Sequence, residues 1–539
     1  MVELRRGGSP RLVVGPVSLL DWARRHRIAA QLLIALAVAF ATRAWLFGDP
    51  VIQIDEQFYL LTGDRLLHGA IPYVDIWDRK PIGIFLLYAG IRLLGGEGIY
   101  QYQVVATLFA AGTAFLIAGM AMRFTNGRGA ALAGASYLLW LLIFDGAGGQ
   151  TPVFYNLLMA GAGTLVLRLV ADEVTPRRLL FGGTAAMLLV GLAMQIKYSV
   201  LFEGVFFGLA LLWRAFRLGM RPAAILGSAL LWILAALLPT LAALAWYAQI
   251  GHLNAFLYAN FESIFQRDTV PPKKLLSRLL GLIGLALPLL LCAFAGWRLA
   301  RRSAPSPQAA ARSFAWGWLA ASLVGVALFG TYFIHYFLPV LTPLTLACAG
   351  LLGDRDAGVA IVSSRGVRRI SIAAFLAVTG VGLTLATVPK RIKHRGHAPE
   401  VRALAANIRA NLHGCLFAYD ADPILYLMTQ ACLPTTRIFP NHLNDQTEAN
   451  AVGVDTVRET ARIFARNRPD LVVLSEPADP DFNGATRALV EHAVATEYRP
   501  IFRIRIGSHD RVLFKRLSPA ARPPATVATR TAGLTHKST

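Results

Sequence analysis

Charge is scarce in this 539-residue chain: Asp, Glu, Lys and Arg make up 16% of it, and acids are the rarer sign, 31 against 53 basic residues. Soluble domains carry about 25% charge, so the deficit excludes an ordinary water-facing surface. Signatures of several function classes are missing too. No Gly-x-Gly-x-x-Gly or Walker-type loop occurs, which argues against a cytosolic nucleotide-sugar or ATP-driven mechanism. The histidines are scattered and the 4 cysteines show no Cys/His ligand spacing, so no metal cluster is expected. No RNA- or DNA-binding motif accompanies the net charge of +22, and nucleic acid is not an expected partner.

What is present is apolar: 55% hydrophobic residues and a mean hydropathy of +0.51, the composition of a polytopic α-helical membrane protein. A span needs about 20 mostly apolar residues, because its backbone polar groups must be satisfied inside a helix. About eleven such runs are expected on that criterion, at 28–47, 100–122, 129–144, 153–170, 179–196, 198–213, 223–249, 279–299, 313–330, 333–352 and 370–388. The run 81–94 is too short to span and reads as an interfacial helix. Residues 1–27 are basic and read as a cytoplasmic N-terminus leading into a retained signal anchor.

Lys and Arg concentrate in one set of loops, near 123–128, 177–178, 214–221, 298–312 and 355–369, which the positive-inside rule places in the cytoplasm. The other set faces outward: the Asp55 loop (48–99), the turns at Asp145, Lys197 and His335, and the loop 251–278. The +22 charge is then mainly topological, with attraction to anionic membrane lipids added. An odd number of spans puts everything after 388 outside.

Residues 389–517 become soluble in composition and alternate helix-like runs (399–412, 456–466, 485–495) with strand-like ones (415–419, 471–474, 501–506, 511–514), the pattern of a small α/β domain. Residues 518–539, rich in Pro, Thr and Ala, read as a disordered tail. Cys292 and Cys348 fall in spans; Cys415 and Cys432 lie in the outer domain, where an oxidising compartment allows a disulfide that sequence alone does not decide.

Between the first two spans lies a polar cassette, Asp55-Glu56-Gln57-Phe58-Tyr59 and then Tyr73-Val74-Asp75-Ile76-Trp77-Asp78-Arg79-Lys80-Pro81. Its acid pair reads either as chemistry at the bilayer surface or as a solvated loop pair capping a helix that starts near Gln57. Lys197 interrupts an apolar stretch, where ionisable groups are expensive; it is either a snorkelling lysine or an anion ligand at the tip of a helical hairpin. His335-Tyr336 reads as an aromatic-belt anchor or a site pair, and Asp145 as a helix-end residue or a site acid. Span parity places Asp55, Glu56, Asp75, Lys80, Asp145, Lys197, Arg267, Lys273, His335 and Tyr336 on one face, and a shared cavity is the expectation.

The Asp55-Glu56 pair after the first span, Pro72-Tyr73-x-Asp75, Asp78-Arg79-Lys80-Pro81, the stretch 191–198 ending in Lys197-Tyr198, and His335-Tyr336-Phe337-Leu338-Pro339 together resemble the GT-C membrane glycosyltransferases that use polyprenyl-phosphate sugars. That group includes glycosyltransferase family 39, the protein O-mannosyltransferase-like enzymes and the aminoarabinose-transferase-like enzymes. The resemblance covers nearly the whole chain and includes Asp422-Pro423-Ile424-Leu425-Tyr426 and Arg468-Pro469-Asp470-Leu471-Val472-Val473 in the outer domain. It implies a GT-C fold in the bacterial inner membrane with a periplasmic C-terminal domain. It further implies transfer of a hexose or pentose, with inversion, from a polyprenyl-phosphate donor to a glycolipid, polysaccharide or protein acceptor.

An acceptor hydroxyl must lose a proton as it attacks the anomeric carbon; Asp55 is the expected base, and Glu56 its partner in a separate role. The departing phosphate needs fixed cations or donors, for which the resemblance implies Lys80, with Arg267 and Tyr336 as further contacts. Tyr59, Asp75, Asp78, Arg79, Asp145, Lys197 and His335 complete the candidate pocket. No cofactor is expected, since the lipid-linked sugar is a substrate; the resemblance implies that no metal is required, and an ion held by Asp55-Glu56 stays an open alternative. The chain departs from the pattern twice: Lys80-Pro81-Ile82 replaces a common Lys-Pro-Pro, and Gln150-Thr151-Pro152-Val153-Phe154 lacks the acid often found there, for which Asp145 is the candidate substitute. The rival expectations are a transporter or lipid flippase, which would carry internal repeats and mid-membrane charges, and a membrane scaffold.

Overall fold

The computed structural model describes residues 26–302, 308–353, 368–478 and 482–518. The basic N-terminus, much of the two longest basic loops and the tail beyond 518 lie outside the described residues.

Among the described residues, ten helices are long and apolar enough to cross a membrane, and Gly127–Ile143 is a further apolar helix of 17 residues. They correspond to the runs expected from sequence: α1 Arg27–Arg43, α4 Ile99–Ala121, α5 Gly127–Ile143, α6 Thr151–Ala171, α7 Pro176–Met194, α8 Leu201–Arg217, α9 Pro222–Gln249, α10 Pro272–Arg302, α11 Ala309–Phe329, α12 Leu338–Gly353 and α13 Arg368–Arg395. The two helices of the first loop are α2 Ile54–Leu67 and the short α3 Ile82–Arg92.

The chain forms two compact units: Met1–Phe47, Gln103–Thr240 and Lys273–Val388 make one, and Gly48–Tyr102, Leu241–Pro272 and Pro389–Thr539 make the other. In the membrane unit, small residues let helices approach closely. A Cβ on Gly134 of α5 would sit 2.7 Å from the Ala114 carbonyl of α4, so glycine permits that crossing. Asn126 caps α5 by accepting from Gly129 N at 3.0 Å, and Thr175 caps α7, with Pro176 in its first turn, each satisfying amides a helix start leaves open.

The second unit joins the first loop, the segment 241–272 that begins with the end of α9, and the C-terminal domain. The domain comprises α14 Ala398–Asn411, α15 Ile424–Thr429, α16 Thr456–Arg462 and α17 Gly484–Glu497, with strands β1 Leu416–Ala418, β2 Leu471–Glu476, β3 Tyr498–Ile506 and β4 His509–Arg516. Sheet order is β1-β2-β4-β3, with β1 parallel to β2 and the other pairs antiparallel; Phe417 faces Val472, and Val472 faces Phe514. Phe417, Tyr419, Val472, Leu474, Val490 and Tyr498 form its core. Cys415 and Cys432 are joined by a disulfide. Sequence periodicity missed α15, whose 6 residues hold less than two helical turns.

Candidate functional site

The acid pair lies on α2, which starts at Ile54, three residues earlier than a helix capped by the acids themselves would. Gln53 has extended backbone and its side chain accepts from Ile54 N at 2.7 Å, so the capping role belongs to Gln53. Asp55 and Glu56 therefore occupy the first helical turn, where the helix dipole favours negative charge. Glu56 is completely buried and Asp55 half-buried. Gln57 anchors this turn within its unit: its amide donates to Asp422 Oδ1 at 3.2 Å and accepts from Ile424 N at 3.3 Å. Gly63 lets α3 cross close by, since a Cβ there would stand 2.6 Å from Ala89 N.

The Tyr73–Lys80 segment folds back on itself. Tyr73 takes a left-handed φ of 69°, its amide donates to Ile76 O at 2.7 Å and its hydroxyl to Lys80 O at 2.8 Å. Asp75 accepts from Ile71 N at 2.7 Å and closes this turn. Trp77 N donates to Thr436 O at 2.9 Å. Asp78 is buried and accepts from Lys80 N at 3.2 Å; burial raises its pKa, Lys80 and Arg79 pull it back, and Asp55 pushes it further up. Lys80 Nζ lies 5.6 Å from the centroid of the buried Tyr59 ring. The unit thus brings Asp55, Glu56, Tyr59, Asp78 and Lys80 together around the start of α2.

Arg79 and Arg267 have a partner that sequence reasoning did not supply. Arg267 Nη2 lies 2.7 Å from Glu448 Oε1, and Arg79 pairs with the other oxygen of the same carboxylate. Arg79 and Arg437 stack over the Trp77 ring at 5.5 and 5.3 Å, and His442 meets that ring edge-on at 4.7 Å. Burial first, and then Arg79, Arg437 and Lys80, hold the His442 pKa well below its ordinary value.

Asp145, Lys197, His335 and Tyr336 belong to the membrane unit. Asp145 is buried with φ of 68° in the turn after α5. Arg43, fully buried at the end of α1, secures the next residues, donating to Gly146 O at 2.5 Å, Gly148 O at 2.7 Å and Thr107 Oγ1 at 3.1 Å. Lys197 does sit at the tip of the α7–α8 hairpin, its Nζ 4.1 Å from the Tyr336 ring centroid, and Tyr336 meets His335 at 4.8 Å. Lys197, Ser199, Glu203, Ser322 and Tyr336 line a cleft walled by Phe202 and Phe329. Glu203 accepts there from the Trp318 indole. Arg43 and Glu203 were missed in the sequence, although both interrupt apolar runs just as Lys197 does; Glu448, His442 and Arg437 gave no such signal.

No known family and no curated protein matches the chain. Solved structures do. The chain resembles ArnT from Cupriavidus metallidurans bound to undecaprenyl phosphate, with a TM-score of 0.64 and 15% identity over 94% of this chain and 100% of that one. It also resembles the Archaeoglobus fulgidus oligosaccharyltransferase in its apo form, with a TM-score of 0.52 and 12% identity over 84% of this chain and 70% of that one. A third match is AglB from the same organism with an inhibitory peptide and a dolichol-phosphate, with a TM-score of 0.52 and 12% identity over 94% and 76%. The chain therefore shares the fold of these solved structures, a multi-helix membrane protein that here carries a C-terminal α/β domain, as expected from its apolar runs and the pattern of its last section.

Proposed function

We propose that this chain is a glycosyltransferase that moves a sugar from a polyprenyl-phosphate carrier to an acceptor hydroxyl at the outer face of a bacterial inner membrane. The observation that carries the reading is the grouping of Asp55, Glu56, Asp78 and Lys80 at the start of one buried helix. The ligands named with the fold neighbours, undecaprenyl phosphate and dolichol-phosphate, supply the donor class. The Cys415–Cys432 bond suits an oxidising, outer location for the second unit.

In this reading the acceptor oxygen attacks the anomeric carbon and gives its proton to Asp55, while the bond from that carbon to the phosphate oxygen breaks. Asp55 is the half-buried acid of the pair and Glu56 the fully buried one, so the proton is assigned to Asp55. Glu56, enclosed behind it, acts on orientation and local charge. Lys80 offsets the charge that collects on the departing phosphate, where a fixed cation acts more strongly than water because no reorganisation is needed. Inversion at the anomeric carbon follows from a single displacement, and no step calls on a metal.

The test is release of polyprenyl phosphate by purified protein from a panel of polyprenyl-phosphate sugars, wild type against Asp55→Asn. The proposal expects release that the variant abolishes while folding and membrane insertion stay normal. Absence of release from a broad panel by folded wild type would sink it in favour of transport or scaffolding.

A further inference from the structure

Glu448 has no place in the chemistry above, yet two cations converge on it. It lies in a turn built by Asp445, which accepts from Thr447 N at 2.8 Å and Thr447 Oγ1 at 2.7 Å, while Ala451 N closes back on Glu448 O at 2.8 Å. This turn is fastened to the segment carrying Arg267: Asp268 N donates to Thr447 O at 3.1 Å, and Asn450 Nδ2 donates to the Asp268 carboxylate at 3.1 and 3.2 Å. The Glu448 carboxylate thus reaches Arg79 and Arg267 from a rigid support.

The charge balance is uneven. Two guanidiniums share one carboxylate, and the side chains are only 16%, 15% and 11% exposed for Arg79, Arg267 and Glu448. Each guanidinium touches the carboxylate through a single Nη, and Arg79 places its other Nη 3.3 Å from Ala451 O. The Nε of both arginines is buried with no acceptor. A buried donor left unmade is costly, and an Arg pair with net positive charge and unused N–H groups is built for an oxyanion.

We propose that Glu448 is a positioning residue for phosphate binding: its carboxylate holds Arg79 and Arg267 side by side, and the oxygens of the lipid phosphate complete their donor sets. The inference rests on the polyprenyl-phosphate reading above and adds Arg79 as a phosphate ligand and Glu448 as the group that makes the pair possible. Without that carboxylate, two like charges this enclosed repel and separate. The function of Glu448 is thereby exerted through the arginines and not on the reacting atoms.

The experiment measures binding of undecaprenyl phosphate in detergent, together with KM and kcat for a donor sugar, for wild type, Glu448→Gln and Glu448→Asp. Glu448→Gln is expected to weaken phosphate binding and raise KM by about tenfold with kcat within about twofold, and Glu448→Asp to recover part of the loss. In the Arg79→Gln background the Glu448→Gln effect should largely vanish, because the pair it positions is already broken. Unchanged or tighter binding by Glu448→Gln would overturn the proposal and make Glu448 a competitor of the phosphate. A kcat loss with no change in binding would also overturn it. If Glu448→Gln fails to fold, the charge-balanced double variant Glu448→Gln/Arg79→Gln takes its place, and wild-type affinity in that protein would refute the proposal. Wild type that binds no undecaprenyl phosphate would instead overturn the donor reading itself, a result visible before any variant is made.

Discussion

Selected buried arginines, one in the membrane unit and four in the second, differ in what they chiefly grip. In the membrane unit, Arg43 reaches the carbonyls of Gly146 and Gly148 and so stitches a turn by its backbone. In the second unit, Arg79 and Arg267 reach Glu448, Arg92 reaches Asp64, and Arg487 reaches Asp420, side chain to side chain. Backbone acceptors cannot be mutated away, so a cation that serves them is irreplaceable by any compensating change; a carboxylate partner can be removed together with its arginine. Arg43 therefore uses its charge to fix chain geometry, whereas the Arg79, Arg267, Arg92 and Arg487 contacts use theirs in side-chain sets whose members can be removed together.

The sharpest break in that comparison is expected at Asp55, whose charge is assigned to chemistry and not to holding the fold. Asp55→Asn should cut transfer by about a thousandfold, the scale of a lost general base, with little change in thermal unfolding. A comparable loss of stability would place Asp55 among the structural charges.

Next comes Arg43→Gln, which strands two carbonyls in a buried turn and should cost about 3 kcal/mol, read as a lower unfolding midpoint in detergent. No second-site acid or amide in the turn should restore it. Arg487→Gln should be similar at about 3 kcal/mol by taking from buried Asp420 the cation that pairs with it directly; burial already pushes that carboxyl up to about 6 against the pull of Arg487 and Arg511. Here the Arg487→Leu/Asp420→Leu double variant should recover much of the loss. Recovery at the Asp420 pair and none at Arg43 is the outcome that sustains the comparison.

The smallest effect is expected at His442. Its folded pKa is depressed, so the neutral ring is favoured in the fold; the stability it permits is complete above the ordinary histidine range and is lost as pH falls below about 6.5. Acidification from pH 7.5 to 5.5 should lower the unfolding free energy by an amount on the order of 1 kcal/mol, read as a lower unfolding midpoint. His442→Phe, which retains the ring against Trp77, should flatten that part of the profile.

Much of the membrane architecture was legible in the residues. Runs such as 100–122 and 333–352 announce themselves by length and apolarity, and the short run at 81–94 became the short helix Ile82–Arg92. The strand-like runs at 471–474 and 511–514 became neighbours in one sheet. The site was legible as a set of residue types and much less as a set of partners. Asp75, grouped with the pocket acids, instead closes a turn on Ile71, because a short acid five residues after Ala70 finds a backbone amide before it finds a ligand. Lys197 was found because charge in an apolar run is conspicuous; the same rule applied evenly would have found Arg43 and Glu203.

The sequence by itself determined which runs are long and apolar enough to cross a bilayer and that its last section alternates helix and strand. Each of those properties is local: hydrocarbon thickness and strand or helix period act on a dozen or two consecutive residues at a time. Only the tertiary structure decided which charges meet. Arg79 and Glu448 are 369 positions apart, and nothing in the neighbourhood of either names the other. Their encounter depends on three loops from distant parts of the chain folding into one unit, and electrostatic pairing falls off with distance in space, to which separation along the chain is no guide.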